Sequence, residues 1–375
     1  MIDIILILIT AIYVVFIAQL IYGFNKVKTF ERIAVNPKST FSIIVPFRNE
    51  AKNLPKLLKS ISKLKYPKEL FEIILVDDFS TDTSERICIQ WRMANGLIES
   101  THLENLRLSN SPKKDAISRA VPILKHEWMV TTDADCVVNK NWLLTLDNFI
   151  QQNNPEMVVG AVVYKTKNNW FHHFQQLDLM SLQGTTIGSF GIGKPFMCNG
   201  ANFAYTKKLF HELGGFGGIN STASGDDVLL LQKAVAANSD KVQYLKHQSF
   251  IVKTKPENDL FVLFMQRVRW ASKTTSYKNV YAKSLAVVVL LMNLSLVLGF
   301  GFWILGEIGI WNLCSIFLIK YILDYILLYK SNQYLNKRKF LLPLASSLVY
   351  PVFVSIVGIF SLFGSFAWKG RCFKN

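Results

Sequence analysis

Cysteine is scarce in this 375-residue chain, and the five that occur, Cys88, Cys136, Cys198, Cys314 and Cys372, lie far apart with no C-x-x-C pair. That spacing excludes a zinc ribbon and a disulfide framework, and it places the soluble part in a reducing compartment, the cytosol. Charge is thin as well. Only 18% of residues are charged, and 26 Asp and Glu face 42 Lys and Arg, a net charge of +16. With 50% hydrophobic residues the chain is not disordered. No internal repeat or low-complexity stretch is present. A basic excess suits nucleic acid, an anionic membrane surface or an anionic substrate. Here the basic residues gather beside apolar runs without a recognition motif, so no nucleic-acid partner is expected.

The apolar runs are the first positive feature. Residues 4–24 are apolar apart from Thr10, Gln19 and the tyrosines, and about 20 such residues match a hydrocarbon core of ~30 Å. Asp3 and no Lys or Arg precede the run, which favours an uncleaved anchor over a signal peptide. Residues 285–305, 308–329 and 340–367 are each long enough to span too. Lys26, Lys28, Arg32 and Lys38 follow the first run, and Lys273, Lys278 and Lys283 precede the second. The positive-inside rule therefore makes the middle of the chain cytoplasmic and the protein an integral membrane protein, expected in a bacterial inner membrane. Lys330, Lys337, Arg338 and Lys339 also fall inside. A fourth full crossing would export Lys369, Arg371 and Lys374, so the last run, which holds Pro343 and Pro351, is either a crossing or a broken re-entrant segment.

Between the runs, strand and helix patterns alternate. Ser42 to Val45 is a short β-branched run, and Leu54, Leu57, Leu58, Ile61 and Leu64 follow at helical spacing. A buried strand over 72–76 ends in Asp77-Asp78. A helix with Ile87, Trp91 and Met93, a weak strand near Leu106 and a helix over 114–124 lead to a strand over 128–132, which ends in Asp133-Ala134-Asp135. This is an α/β fold with a mainly parallel sheet, whose ligand site lies at the carboxyl ends of the strands. The expected domains are an anchor over 1–24, an α/β domain over 25–256, an amphipathic interface helix over 257–283, a transmembrane region over 284–368 and a basic tail over 369–375.

Both acidic clusters sit where that rule puts a ligand. In an Asp-x-Asp at a strand end, alternation sends both carboxylates to one face, where they can share a divalent cation that also binds a substrate diphosphate. The competing interpretation is that such residues are turn and N-cap residues only.

Together the clusters resemble family 2 glycosyltransferases of the GT-A fold, and the likeness extends over about residues 41–270. Residues 42–50, SIIVPFRNE, look like the family's opening strand and loop, which covers the nucleotide base and includes Pro46, Arg48 and Glu50. Residues 112–117, PKKDAI, match its G-K-x-x-A-L segment with Lys113 in the lysine position and Pro112 replacing the glycine. Cys198-Asn199-Gly200-Ala201-Asn202 looks like the acceptor-side glycine turn, and Gly225-Asp226-Asp227 resembles the family's E/G-D-D motif. Gln266-Arg267-Val268-Arg269-Trp270 fits Q-x-x-R-W, a signature of membrane-embedded members, including ceramide glucosyltransferases and bacterial polysaccharide synthases.

The resemblance implies inverting transfer of a sugar from a nucleotide-diphospho-sugar, with a UDP-sugar the expected donor and Mg2+ or Mn2+ the cofactor. Charge develops on the departing diphosphate, so a cation belongs there, held by Asp135 and Asp133. Donor contacts fall to Pro46, Arg48, Glu50, Asp77, Asp78, Lys113, Asp133 and Arg269, with Asp77 alternatively orienting its loop. Asn199, Gly200, Ala201, Gln266 and Trp270 take the acceptor side. Asp227 is the expected general base, with Asp226 as the fallback, and helix capping by one of them is compatible. Leu260, Phe261, Leu263, Phe264, Val268 and Trp270 among Arg267, Arg269 and Lys273 describe a basic amphipathic helix in the membrane interface.

Four apolar runs are few for a polymer channel, so a lipid or lipid-linked acceptor leads over a processive polysaccharide synthase. A silent GT-A-like scaffold subunit is the reading from another class. Other features look structural: His172-His173, the Phe171, Phe174 and Leu177 series, and the Gly191-Ile192-Gly193 turn. Lys320 and Asp324 are spaced to neutralise each other within a span.

Overall fold

A computed structural model describes residues 2–219, 225–336, 343–363, 365–368 and 371–374. In chain order the helices are α1 (Ile2–Lys26), α2 (Leu54–Ser62), α3 (Ser84–Ala94), α4 (Pro112–Ala120), α5 (Trp142–Asn153), α6 (Trp170–Gly191), α7 (Lys207–Glu212), α8 (Val228–Asn238), α9 (Leu260–Ser272), α10 (Val280–Ile304), α11 (Ile310–Leu335) and α12 (Pro343–Phe363). The strands are β1 (Phe41–Phe47), β2 (Phe71–Asp77), β3 (Glu99–Glu104), β4 (Trp128–Thr131), β5 (Met157–Val159), β6 (Val162–Tyr164), β7 (Phe203–Thr206), β8 (Val242–Tyr244) and β9 (Val252–Thr254), with a hairpin of Ser365–Trp368 and Arg371–Lys374 near the end.

The chain divides into two units. One holds Lys28–Lys165 and Pro195–Lys255; the other holds Met1–Val27, Thr166–Lys194 and Pro256–Asn375. Residues 166–194, read from sequence with the α/β domain, thus group with the long apolar helices.

The α/β unit is built on a seven-stranded sheet of order β3-β2-β1-β4-β7-β5-β8. β3, β2, β1 and β4 are parallel, and β7 runs antiparallel between β4 and β5. Every residue of β2 and β4 is buried, which is why both read as continuous apolar runs instead of alternating ones. Pro112 opens α4, where its missing N–H costs nothing, so the helix starts two residues before the expected one. The weak third strand lies at Glu99–Glu104, ahead of Leu106, and has no fully buried residue.

Trp142 is wholly buried and its indole N–H donates to Asn202 Oδ1 at 3.0 Å. Asn202 Nδ2 donates to the Ala161 and Phe250 carbonyls at 2.9 and 2.6 Å. A Cβ on Gly160 would sit 2.3 Å from that amide nitrogen, so only glycine lets Asn202 reach both carbonyls. One saturated amide thus pins the turn at residues 199–202 against the core.

In the other unit, α1, α10, α11 and α12 are each long and apolar enough to cross a membrane. They carry exposed large side chains such as Ile7, Leu8, Ile304, Trp311 and Phe360, a surface water would oppose and lipid would accept. The last run forms one continuous helix through Pro351, so the broken alternative is not what the described residues show. Lys320 and Asp324 pair one turn apart on α11, as their spacing predicts, and Tyr13 of α1 donates to Asp324. α6 lies against α1 through Gly188 and Gly191, where a Cβ would fall inside the α1 backbone.

Candidate active site

The site of the α/β unit forms at the carboxyl ends of β1, β2 and β4. Beyond β1, Arg48 Nη1 donates to the Asp78 and Phe79 carbonyls, both at 2.7 Å, and so holds the loop after β2. Asn49 and Phe79 take left-handed φ values of 52° and 59°, and Asn49 Oδ1 accepts from the Thr81 N–H at 2.8 Å. The Glu50 carboxylate accepts from Asn53 and its N–H donates to Ser84 Oγ at 2.8 Å. Pro46 is half-buried within β1. Arg48 and Glu50, expected on the donor, also hold their own loops in this structure.

Asp77 and Asp78 separate in role. Asp77 Oδ1 accepts from the N–H and the hydroxyl of Ser80 at 2.9 and 2.6 Å, the loop-orienting alternative. Asp78 is buried, accepts from Asn105 Nδ2 at 2.8 Å and has Arg107 Nη1 at 3.8 Å. Arg107 also reaches Asp115 at 3.6 Å, and Asp115 accepts from the Leu108 and Ser109 N–H groups. Asn105 Oδ1 and Thr132 Oγ1 are buried with no hydrogen-bond partner among the described residues. Sequence reading missed Asn105, Arg107 and Asp115. The rule that picked out the end of β2 applies equally to the end of β3 and would have found the first two.

Lys113 lies at the centre of the second cluster. Its ammonium is 2.7 Å from Asp133 Oδ1 and 3.4 Å from Asp226 Oδ2. Burial pulls its pKa down, but the carboxylates of Asp133, Asp226 and Asp227 outweigh that and hold it above the ordinary lysine value, so it stays charged. β4 ends at Thr131, so Asp133 and Asp135 lie on the following loop, and strand alternation does not orient them. Asp135 Oδ2 instead accepts from the Thr254 hydroxyl at 3.0 Å. The Cys136 thiol is pushed up by burial and then by Asp135 and Asp133, which keeps it neutral.

Asp227 both caps and spans. Its Oδ1 accepts from the Val228 N–H at 2.7 Å at the start of α8, and its Oδ2 accepts from the Gly200 N–H at 2.9 Å. Gly225 holds φ at 86°, which favours glycine just before the acidic pair. The structure thus brings Lys113, Asp133, Gly200, Asp226 and Asp227 together, while Asn199 Oδ1 accepts from the Ala201 N–H within the same turn.

Gly200 is fixed by sterics. A Cβ there would lie 2.9 Å from Lys113 Nζ and 3.1 Å from Asp226 Oδ2. Because the nearest atom ends a flexible side chain, we expect Gly200→Ala to fold and to displace the ammonium. Transfer should fall about tenfold with an unchanged melting temperature, since only charge placement is disturbed. Loss of folded protein, or unaltered turnover, would contradict this.

Residues 42–214 match the sequence model described as Glycosyl transferase family 2. The chain resembles that family over this stretch, which is less than half of its length. Its fold is GT-A, with four long apolar helices as candidate membrane spans. The chain resembles the glycosyltransferase GlyG of Streptococcus pneumoniae, at 34% identity over 32% of this chain and 38% of GlyG. It also resembles a beta-monoglucosyldiacylglycerol synthase of Nostoc, at 29% identity over 40% of this chain and 33% of that protein. It therefore spans well under half the length of these relatives. Among solved structures, the mannosyltransferase PcManGT of Pyrobaculum calidifontis, in complex with GDP-Man and Mn2+, has the same fold. The TM-score is 0.61 at 17% identity, over 96% of this chain and 99% of that one.

In the helical unit, Gln266, Arg269 and Trp270 lie half-buried on α9. Arg267, counted from sequence in the basic face of an interface helix, is instead buried in an ion pair with Asp178 of α6. His172 bonds the Lys167 N–H and Asn258, and Phe174 packs on Phe353, structural roles as expected. Among the described residues no group of three His, Cys, Asp or Glu side chains could hold a metal ion.

Proposed function

We propose that this chain is a membrane-anchored, inverting glycosyltransferase that moves a sugar from a nucleotide-diphospho-sugar, a UDP-sugar by expectation, to a lipid or lipid-linked acceptor at the cytoplasmic membrane face. The observation that carries this reading is the Lys113 cluster, which sets one charged ammonium between the aspartates matched to the metal motif and those matched to the base motif.

Asp133 and Asp135 offer two hard carboxylates, which among the described residues no group of three His, Cys, Asp or Glu extends, a donor set suited to Mg2+ or Mn2+ that completes its shell with substrate phosphates and water. Held there, the ion would supply positive charge to the diphosphate. Asp78, Asn105 and Arg107 bind the nucleoside end of the donor, where the unpartnered Asn105 Oδ1 suits a base or ribose donor group. Lys113 stabilises charge on the leaving diphosphate. Asp227 takes the proton of the attacking hydroxyl, its carboxylate held at the site by the Gly200 and Val228 N–H groups. Asp226 is the fallback. Asn199, Gly200, Ala201, Gln266 and Trp270 serve the acceptor, and Arg269 the donor phosphates.

The lipid-acceptor reading draws support from the four apolar helices and from the Nostoc relative, which by its name makes monoglucosyldiacylglycerol. It is tested on α9. Arg269→Ala and Trp270→Ala should each lower turnover at least ~10-fold at unchanged membrane content, and Arg269→Lys should recover part, because an ammonium keeps the charge but loses the planar fork. Equal transfer by all three variants would reduce this segment to a plain anchor. Orientation has its own test. An added cysteine at Lys330 should be shielded from impermeant thiol reagents in intact cells, and Glu307→Cys should be labelled; the reverse pattern overturns the cytoplasmic placement.

A further inference from the structure

Between α6 and α9 the helical unit holds a polar assembly around a buried ion pair. Arg267 and Asp178 are 5% and 6% exposed in their side chains, and Arg267 Nε donates to Asp178 Oδ2. Asp178 Oδ1 also accepts from the Tyr350 hydroxyl of α12 at 3.3 Å. Removing two charges from water costs several kcal/mol each unless pairing and further bonds repay it. A pair this deep therefore needs a reason beyond stability.

Its geometry supplies one. The guanidinium carbon of Arg267 lies 4.2 Å from the centroid of the Trp270 ring, and Nη1 donates to Gln266 Oε1. Gln266 Nε2 in turn donates to Glu257 Oε1 at 3.2 Å. Wholly buried Gln175, also on α6, ties the Glu257 backbone from both sides: Nε2 to the carbonyl and the N–H to Oε1, each at 2.9 Å. Each side chain flanking Arg267 in this assembly, Gln266 and Trp270, is one that the functional reading gives to the acceptor.

We infer that Asp178 is a positioning residue for acceptor recognition: by fixing the guanidinium plane of Arg267 it sets the Trp270 ring and the Gln266 amide in the pose that receives the acceptor. The planar cation stacks on the indole face while its edge serves Asp178 and Gln266, a double duty that an ammonium cannot perform. Tyr350 steadies the second carboxylate oxygen. This inference rests on the reading of the chain as a glycosyltransferase with Gln266 and Trp270 on the acceptor.

The test uses the full-length chain in detergent micelles, with labelled UDP-glucose and UDP-N-acetylglucosamine as donors and a bacterial membrane lipid extract as acceptor. Asp178→Asn should raise the acceptor KM about tenfold and leave the donor KM within about twofold, the split expected when only acceptor binding is loosened. Asp178→Glu and Tyr350→Phe should each raise it about two- to threefold. Arg267→Lys should behave like Asp178→Asn, since the ion pair survives and the stack does not. If Asp178→Asn fails to accumulate, the other three variants carry the comparison. Uniform loss of turnover with both KM values unchanged would make the pair merely structural and overturn the inference alone. No transfer by the wild type would overturn the functional reading and this inference with it, whereas full transfer by Trp270→Ala would overturn the acceptor role of this segment and, with it, this inference.

Discussion

Asp227→Asn is expected to lower turnover at least ~10²-fold while donor binding stays near normal, the scale of lost general-base help. The substitution is nearly isosteric, and asparagine is as good an N-cap as aspartate, so α8 keeps its bond from the Val228 N–H. What changes is the face toward Gly200. There an amide NH2 replaces an oxygen that accepts the Gly200 N–H at 2.9 Å, a local cost of about 1 kcal/mol that does not unfold the domain. The amide cannot take up a proton at neutral pH. Stopped turnover with intact donor affinity, read by equilibrium binding of labelled nucleotide sugar, would fit the base role. Parallel loss of donor affinity would move Asp227 out of it, and Asp226→Asn would then be the variant to compare.

Asp135→Ala is expected to abolish transfer and to weaken donor binding. On the proposed reading Asp135 is one of two hard carboxylates that would hold a cation at the diphosphate, and its Oδ2 accepts from the Thr254 hydroxyl at 3.0 Å. Thr254→Val removes that hydroxyl and keeps the carboxylate, so it should cost about tenfold or less. EDTA should bring the wild type down to the Asp135→Ala level, and added Mg2+ or Mn2+ should restore it. Full activity in EDTA would remove the metal from the account.

Much of the sheet could be read from the sequence because its inner strands are buried on both faces. β1, β2 and β4 appear as largely apolar runs at the expected places, and Asp77-Asp78 stands at the carboxyl end of β2. β3 is half-exposed at every position or more, so its weaker pattern blurred its location and hid Asn105 and Arg107. The partners of Lys113 were out of reach for a different reason. Asp226 comes to it only because the Gly200 turn lets Lys113, Asp226 and Asp227 close in, and no local periodicity records that approach. Likewise Asp178 and Arg267 are 89 residues apart in sequence, and α6 carries glycines, glutamines and an aspartate that mask its membership in the apolar unit. Long-range pairs between polar residues on separate helices leave no trace in spacing, whereas strand ends do.

Sugar transfer by the full-length chain is the measurement that bears most directly on all of this. Membranes containing the chain would be incubated with a panel of radiolabelled nucleotide sugars and Mg2+ or Mn2+, and lipid products separated from polymer. The account predicts label in the lipid fraction from one nucleotide sugar, absent with Asp227→Asn and absent in EDTA. Label in neither fraction, or in the lipid fraction of wild type and Asp227→Asn alike, would contradict it.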